Sequence, residues 1–116
     1  MMNIEDLQNI CATFKGVTQD IIWEDHLCFN IGSKMFLVTA PGSVPVTASL
    51  KVTDEEFDEL TSRPGFTPAP YLARYKWVYV EDINFVSEKE WQRLIEQAYK
   101  LVSSKLPKKI RTAIGL

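Results

Sequence analysis

The spacing of hydrophobic residues is helical at both ends of the chain. Near the start, five apolar residues recur at helical intervals and therefore share one side of a helix: Ile4, Leu7, Ile10, Cys11 and Phe14. Near the end, Ser87 and Glu90 form a capping-box sequence. Behind it, six apolar residues keep the helical period: Trp91, Leu94, Ile95, Ala98, Leu101 and Val102. We therefore predict an amphipathic helix at each end of the chain.

Between these helices the hydrophobic pattern changes to that of strands. Short segments rich in β-branched and aromatic residues are separated by turn-forming residues, and they predict strands at 20–23, 27–31, 35–39, 46–50 and 77–80. Gly32-Ser33 and Pro41-Gly42 supply the backbone angles that hairpin connections need. The first four segments therefore predict an antiparallel meander.

Two shorter features complete the pattern. Thr53 and Glu56 repeat the capping box and predict a short helix that ends near Thr61. Pro107 is expected to break or bend the last helix, which leaves residues 108–116 as a short basic and apolar tail of at most one further turn.

An antiparallel sheet with one apolar face needs a cover, and the two terminal helices can provide it. We therefore predict a single two-layer α+β domain over residues 1–116, with an antiparallel sheet of about five strands. Trp77 and Trp91 are expected to share the buried face, where each large apolar side chain contributes roughly 1.5–3 kcal/mol.

The composition favours a soluble cytoplasmic protein. Of the 116 residues, 46% are hydrophobic and 24% are charged, as in ordinary globular domains. Cys11 and Cys28 are too few for a disulfide framework, so a reducing compartment is expected. No basic segment followed by an apolar one opens the chain, and no run of about 18 apolar residues occurs. We expect a monomer without a membrane partner.

Charge is distributed unevenly although the net charge is only -2. Residues 1–64 hold ten acids and four bases, a balance of -6, whereas residues 65–116 hold five acids and nine bases, a balance of +4. From Lys100 onward there are five bases and no acid. This basic end of the chain suits either a polyanion-binding surface or cations that stabilise the C-terminus of a helix.

No catalytic, cofactor or metal pattern is present in the sequence. His26 has no ligand-type residue at a helical offset, and it lacks the base and orienting groups of acyl-transfer enzymes. The five glycines form no phosphate-binding loop. The acids of residues 54–59 suit a solvated helix start better than a metal site. We therefore expect neither an enzyme nor a bound cofactor.

Nucleic acid would require cations spread over a surface, with aromatic residues among them if single strands are bound. Candidate phosphate contacts lie in the hairpins, before the strand at 77–80 and at the end of the chain: Lys34, Lys51, Arg74, Lys76, Lys105, Lys108, Lys109 and Arg111. We expect Lys34, Lys51 and Lys76 on the open side of the sheet. Tyr71, Tyr75 and Tyr79 are interleaved with the middle group, although strand alternation alone also explains such a pattern.

Six short segments, in order and at the right spacing, resemble the MmcQ/YjbR family: 32–36 (GSKMF), 49–51 (SLK), 68–71 (PAPY), 77–78 (WV), 99–102 (YKLV) and 106–109 (LPKK). The resemblance implies a CyaY-like fold, also described as a double-wing arrangement, with helices on one antiparallel sheet. Members of the family are commonly labelled DNA-binding on the basis of this fold. Family members often have His before the strand Trp and Ser before the helix Tyr, where this chain has Lys76 and Ala98.

Three hypotheses follow from the residues and the resemblance together. The first is a DNA-binding module that uses the candidate lysines and arginines. The second is a protein-interaction or regulatory domain that uses the open sheet face or the proline-rich loop at 64–70; a large exposed aromatic patch around Tyr71, Tyr75 and Tyr79 would favour it. The third is an iron-binding protein similar to frataxin, suggested by the CyaY-like fold and the acids of the second helix.

Overall fold

A computed structural model describes residues 2–116 and confirms the α+β class. Its helices are α1 (Ile4–Ala12), α2 (Asp54–Thr61), α3 (Glu88–Ser103) and α4 (Lys108–Ile114), with short 3₁₀ helices at Ala73–Tyr75 and Ile83–Phe85. Its strands are β1 (Val17–Ile22), β2 (His26–Ile31), β3 (Lys34–Ala40), β4 (Thr47–Lys51), β5 (Phe66–Pro68) and β6 (Trp77–Val80). These strands form one antiparallel sheet in the order β1-β2-β3-β4-β6-β5.

The sheet has one strand more than the sequence pattern predicts. Residues 66–68 pair with β6, Phe66 opposite Val80 and Pro68 opposite Val78. Pro68 has no amide hydrogen to donate. Because β5 is an edge strand, the nitrogen of Pro68 can face away from the ladder, and no hydrogen bond is lost.

The two faces of the sheet bury different clusters. One face carries the main core, in which α1 and α3 pack on the strands and Trp91 is completely buried. The opposite face, which we call the open face, carries a small cluster of Cys28, Val38, Ala69 and Trp77 beneath the segment 69–72.

The prediction that Trp77 and Trp91 share one buried face is therefore wrong. Val78 and Val80 point into the main core, and strand alternation then turns Trp77 and Tyr79 to the open face. The period of two is visible in the sequence, but the face that meets the helices is decided by packing.

Capping explains where the helices begin. Asn3 and Asp6 form a complete reciprocal capping box at α1. Thr53 and Ser87 accept hydrogen bonds from the amides of Glu56 (3.2 Å) and Glu90 (3.1 Å), as predicted. A capping box also predicts a return contact, in which the carboxylates of Glu56 and Glu90 accept from the backbone amides of the capping residues, but neither carboxylate does so. An arginine is within reach of each instead: Glu56 pairs with Arg93 at 2.6 Å and Glu90 with Arg63 at 3.1 Å.

The tail after Pro107 is longer and more closely packed than predicted. Pro107 is the N-cap of α4, a seven-residue helix rather than a single turn. Leu106 is buried in the main core, and Ile114 packs against it. The last turn of the chain therefore contributes to the fold.

The buried thiol of Cys11 predicts a loss of stability at alkaline pH. Burial raises the pKa of Cys11 from 9.0 to about 12. The unfolded chain ionises first, so the contribution of this group is complete below the unfolded pKa and is lost as pH rises toward the folded pKa. Relative to Cys11→Ala, the free energy of unfolding of the parent protein should fall by up to about 1.4 kcal/mol per pH unit between about pH 9 and about pH 12.

Urea titrations across that range, with both proteins at each pH, provide the measurement. Burial also raises the pKa of Tyr99, but that residue is present in both proteins and cancels in the difference. Parallel pH profiles for the two proteins would contradict the assignment.

Candidate functional site

Three of the predicted basic residues lie at the same end of the sheet. Lys34 begins β3, next to the β2–β3 turn. Leu37 pairs with Leu50, so the start of β3 and the end of β4 lie at the same end of the sheet. Lys51 pairs with Trp77, which places the start of β6 at that end too. Lys76 directly precedes that strand. Antiparallel register thus gathers lysines that are up to 42 positions apart in the sequence.

The connection between α3 and α4 adds lysines to the same end. A Cβ built at Gly32, in the β2–β3 turn, would lie 2.7 Å from Leu106 Cδ1 and 3.1 Å from Ile110 Cγ2. These close contacts place the start of α4 against the turn. We call the whole group the basic end: Lys34, Lys51, Lys76, Lys105, Lys108 and Lys109.

Lys51 shows the electrostatic consequence of this arrangement. Burial first, and then the neighbouring Lys105 ammonium, lower the pKa of Lys51, whereas the Asp54 carboxylate raises it. Its Nζ also donates a hydrogen bond of 2.7 Å to the carbonyl oxygen of Tyr75. Lys51 is thus held in place beside a like charge.

The prediction that Lys34, Lys51 and Lys76 all lie on the open side is correct for Lys51 alone. Lys51 shares its face with Ser49, two positions earlier on β4. Lys34 pairs with Ile31, a residue of the main core, and so starts on the helix side. Lys76 extends its Nζ to 4.8 Å from the ring centroid of Phe57 in α2. The basic residues surround the end of the sheet instead of covering one face.

The two predicted arginines lie in different surroundings. Arg74 stacks on Tyr75 at 4.8 Å and donates a 2.5 Å hydrogen bond to its hydroxyl, within the segment that crosses the open face. Arg111 is half-buried on α4, and its Nε is buried without a hydrogen-bond partner among residues 2–116. Arg111 is therefore less accessible than Lys108 and Lys109, which are exposed.

Sequence reasoning missed Lys15, which is exposed just before β1. Val17 pairs with Ile31, so the start of β1 lies at the basic end as well. The predicted strand begins at residue 20, whereas β1 begins at Val17, so the sequence pattern did not point to Lys15.

A groove on the open face was not predicted. Its volume is about 340 Å³, and it lies between the β1–β2 turn and the segment 69–72. We call it the aromatic groove, after two exposed rings at its rim, Trp23 and Tyr71; Val38, Ala48, Ser49 and Tyr79 are among its lining residues. These positions are distant in the sequence, so no local pattern reveals them.

The rim aromatics are among the exposed apolar residues of the described chain. Trp23 is 65% exposed and Tyr71 is 99% exposed. Trp23 was predicted to end a strand, but it lies in the turn with φ 50°, and Tyr71 has φ 65°. Left-handed backbone is costly for such large residues, and strain of this kind is common at functional sites.

His26 lines the same groove and pairs with Asp25. Its Nδ1 lies 2.7 Å from Asp25 Oδ1, and its ring meets the Trp23 ring edge-on at a centroid distance of 5.4 Å. Within residues 2–116, no group of three or more histidine, cysteine or acidic side chains is placed to hold a metal ion.

None of the helices between residues 2 and 116 combines the length and apolar character needed to cross a membrane.

Comparisons with known proteins agree with this fold. The model of the family described as YjbR matches residues 12–101. A crystal structure from Deinococcus radiodurans, with a domain described as DUF419, is 27% identical, has a TM-score of 0.88 and covers 100% of this chain and 90% of that chain. A Pseudomonas syringae crystal structure is 22% identical with a TM-score of 0.70, covers 86% of this chain and 98% of that one, and shows a similar fold. No curated protein matches the chain.

Proposed function

This chain belongs to the YjbR family, and we propose that it is a nucleic-acid-binding module whose basic end contacts phosphates. The observation that carries the proposal is the convergence of lysines from the β2–β3 turn, β4, the start of β6 and the α3–α4 connection at one end of the sheet. Phosphate backbones are attracted to such cation clusters irrespective of base sequence. The proposed activity is binding without a chemical step.

The lowered pKa of Lys51 supports an anionic partner. Part of the decrease comes from the Lys105 ammonium, so the folded chain holds two like charges near each other. A phosphate between them would attract both and remove the cost of their repulsion.

The net charge of -2 belongs to the whole chain, whereas the proposed phosphate contacts depend on the local cluster of lysines at the basic end. Two of the acids are already paired with arginines. Glu56 binds Arg93 at 2.6 Å, and Glu90 binds Arg63 at 3.1 Å. Asp54 is the acid close to Lys51, and its effect on that pKa is smaller than those of burial and Lys105.

Protein interaction remains the second candidate, since Tyr71 and Tyr75 are exposed on the open side of the sheet. Tyr79 does not extend this patch, because it packs against the Trp77 cluster. We place nucleic acid first because Arg74 and Lys76 flank Tyr75 in the same segment, and cations alternating with aromatic rings are typical of single-strand binders.

The basic end predicts a salt dependence that mutation should reduce. Binding of a labelled oligonucleotide, measured by fluorescence anisotropy between about 50 and about 200 mM salt, should weaken steeply as salt displaces phosphate contacts. The triple variant Lys105→Gln, Lys108→Gln and Lys109→Gln should lower the slope of log affinity against log salt by about 2–3, since each lost contact contributes about 0.7–0.9.

Lys89→Gln is the matched control. Lys89 lies at the start of α3, roughly 20 Å along the helix from the end that leads to the basic end. It should leave both affinity and slope unchanged. Absence of binding at the lower salt, or an equal loss in the control, would overturn the proposed function and leave protein interaction as the better candidate.

A further inference from the structure

The aromatic groove is a largely apolar cavity on the open face; it extends from the middle of the sheet to the β1–β2 turn, at the end opposite the basic end. Val38, Ala69 and Leu72 line it, while Trp23 and Tyr71 project from opposite sides of its rim into solvent. Burial in the core cannot account for these two rings, because both are mostly exposed.

Hydrogen-bonding groups accompany the apolar lining. Ser49, Tyr79 and His26 contribute to the groove, and the hydrogen bonds formed within residues 2–116 leave Ser49 Oγ, Tyr79 Oη and His26 Nε2 unused. An occupant with a flat apolar surface and polar edges would satisfy both the rings and these groups. Nucleobases have this chemistry.

The groove connects to the basic end through two parts of the chain. Ser49 and Lys51 lie on one face of β4, about 7 Å apart along the strand. The segment that carries Tyr71 continues to Arg74 and Lys76. Glu24 and Asp25 at the tip of the β1–β2 turn make the opposite side acidic. A phosphate backbone that leaves the groove is therefore directed toward Lys51.

From this charge complementarity we infer that the aromatic groove receives an unpaired base of a single-stranded nucleic acid, stacked against Trp23 and Tyr71, while the adjoining phosphate lies beside Lys51, the lysine of the basic end that shares this face. This inference rests on the proposed function and adds strandedness to it. A base inside a duplex is stacked and paired and cannot enter a cavity of this kind.

Trp23 provides a direct readout, because it is the exposed tryptophan of the three. Trp77 and Trp91 are buried. Oligothymidylate should quench the fluorescence of Trp23 by stacking, and an oligonucleotide duplex of equal length should not. Trp23→Phe should remove the quenching but keep affinity within about threefold, since the phenyl ring still stacks.

Alanine variants separate stacking from charge. Trp23→Ala and Tyr71→Ala should each lower affinity for oligothymidylate roughly 5- to 150-fold, while the salt slope and duplex affinity stay unchanged. Phe85→Ala is the matched control, since Phe85 is an exposed ring packed beside Gly65 outside the groove. Phe85→Ala should change neither the affinity for oligothymidylate nor the affinity for the duplex.

The possible outcomes distinguish this inference from the proposed function. Equal affinity for single strands and duplexes, with salt dependence intact and no effect of the groove variants, would overturn the inference and leave the function standing. Binding of oligothymidylate without quenching of Trp23 would likewise overturn the inference and leave the proposed function standing. Absence of nucleic-acid binding would overturn both.

Discussion

Trp91→Ala is expected to lower the free energy of unfolding by about 3–5 kcal/mol, because it leaves a large cavity in the centre of the main core. The side chain is completely buried where α3 meets the sheet. Its Nε1 also donates a 2.8 Å hydrogen bond to the carbonyl oxygen of Ile83. The variant therefore loses apolar contacts and leaves that carbonyl without its donor.

Urea unfolding of the variant and of Trp23→Ala tests this expectation. Both substitutions remove a tryptophan, but Trp23 is mostly exposed, so its replacement should change stability by less than about 0.5 kcal/mol. Trp91→Phe should fall between the two, since it keeps an aromatic ring but cannot donate to Ile83. Similar losses at positions 91 and 23 would show that the main core is not centred on α3.

Gly32→Val is expected to destabilise the protein by roughly 2–5 kcal/mol through strain and overpacking together. Gly32 has φ +58°, which is costly for a β-branched residue. Its added side chain would also meet Leu106 and Ile110, the residues that hold α4 against the sheet. Because α4 would be displaced, its amide hydrogens should exchange faster than in the parent protein.

Gly42→Val is the matched control for this substitution. A Cβ at Gly42 meets no atom within 4 Å, and its φ is outside the left-handed range. Its effect in the same denaturation and hydrogen-exchange measurements should be within about 0.5 kcal/mol. Comparable losses at both glycines would rule out the contact between the β2–β3 turn and α4 as the cause.

The elements that the sequence predicted well are those that depend on neighbours a few residues away. The apolar period of α3 and the capping hydroxyls of Thr53 and Ser87 are local features, and the structure confirms them. The return contacts of Glu56 and Glu90 were predicted wrongly, since Arg93 binds Glu56 and Arg63 binds Glu90, in each case from a distant part of the chain.

The candidate site likewise combines features that are local in the sequence with features that depend on distant contacts. Lysines at the ends of predicted strands could be chosen from the sequence, because turns place such residues in solvent. Their convergence depends on strand register and on the packing of Leu106 against Gly32. The aromatic groove depends still more on the tertiary structure, since Trp23, Val38 and Tyr71 meet only after the sheet has formed and the segment 69–72 has crossed it.

The sequence pattern was sufficient to predict α1, α2, α3 and most of the strands, and it also carries the family resemblance and the excess of basic residues near the end of the chain. The helices and strands among these follow from local sterics, hydrogen bonding and periodicity, which act over a few residues. Three further features could not be read from local patterns: Trp77 faces away from Trp91, β5 pairs with β6, and α4 packs beside the β2–β3 turn. Each of these depends on long-range packing, in which burial of apolar surface selects one arrangement among several that the local pattern allows.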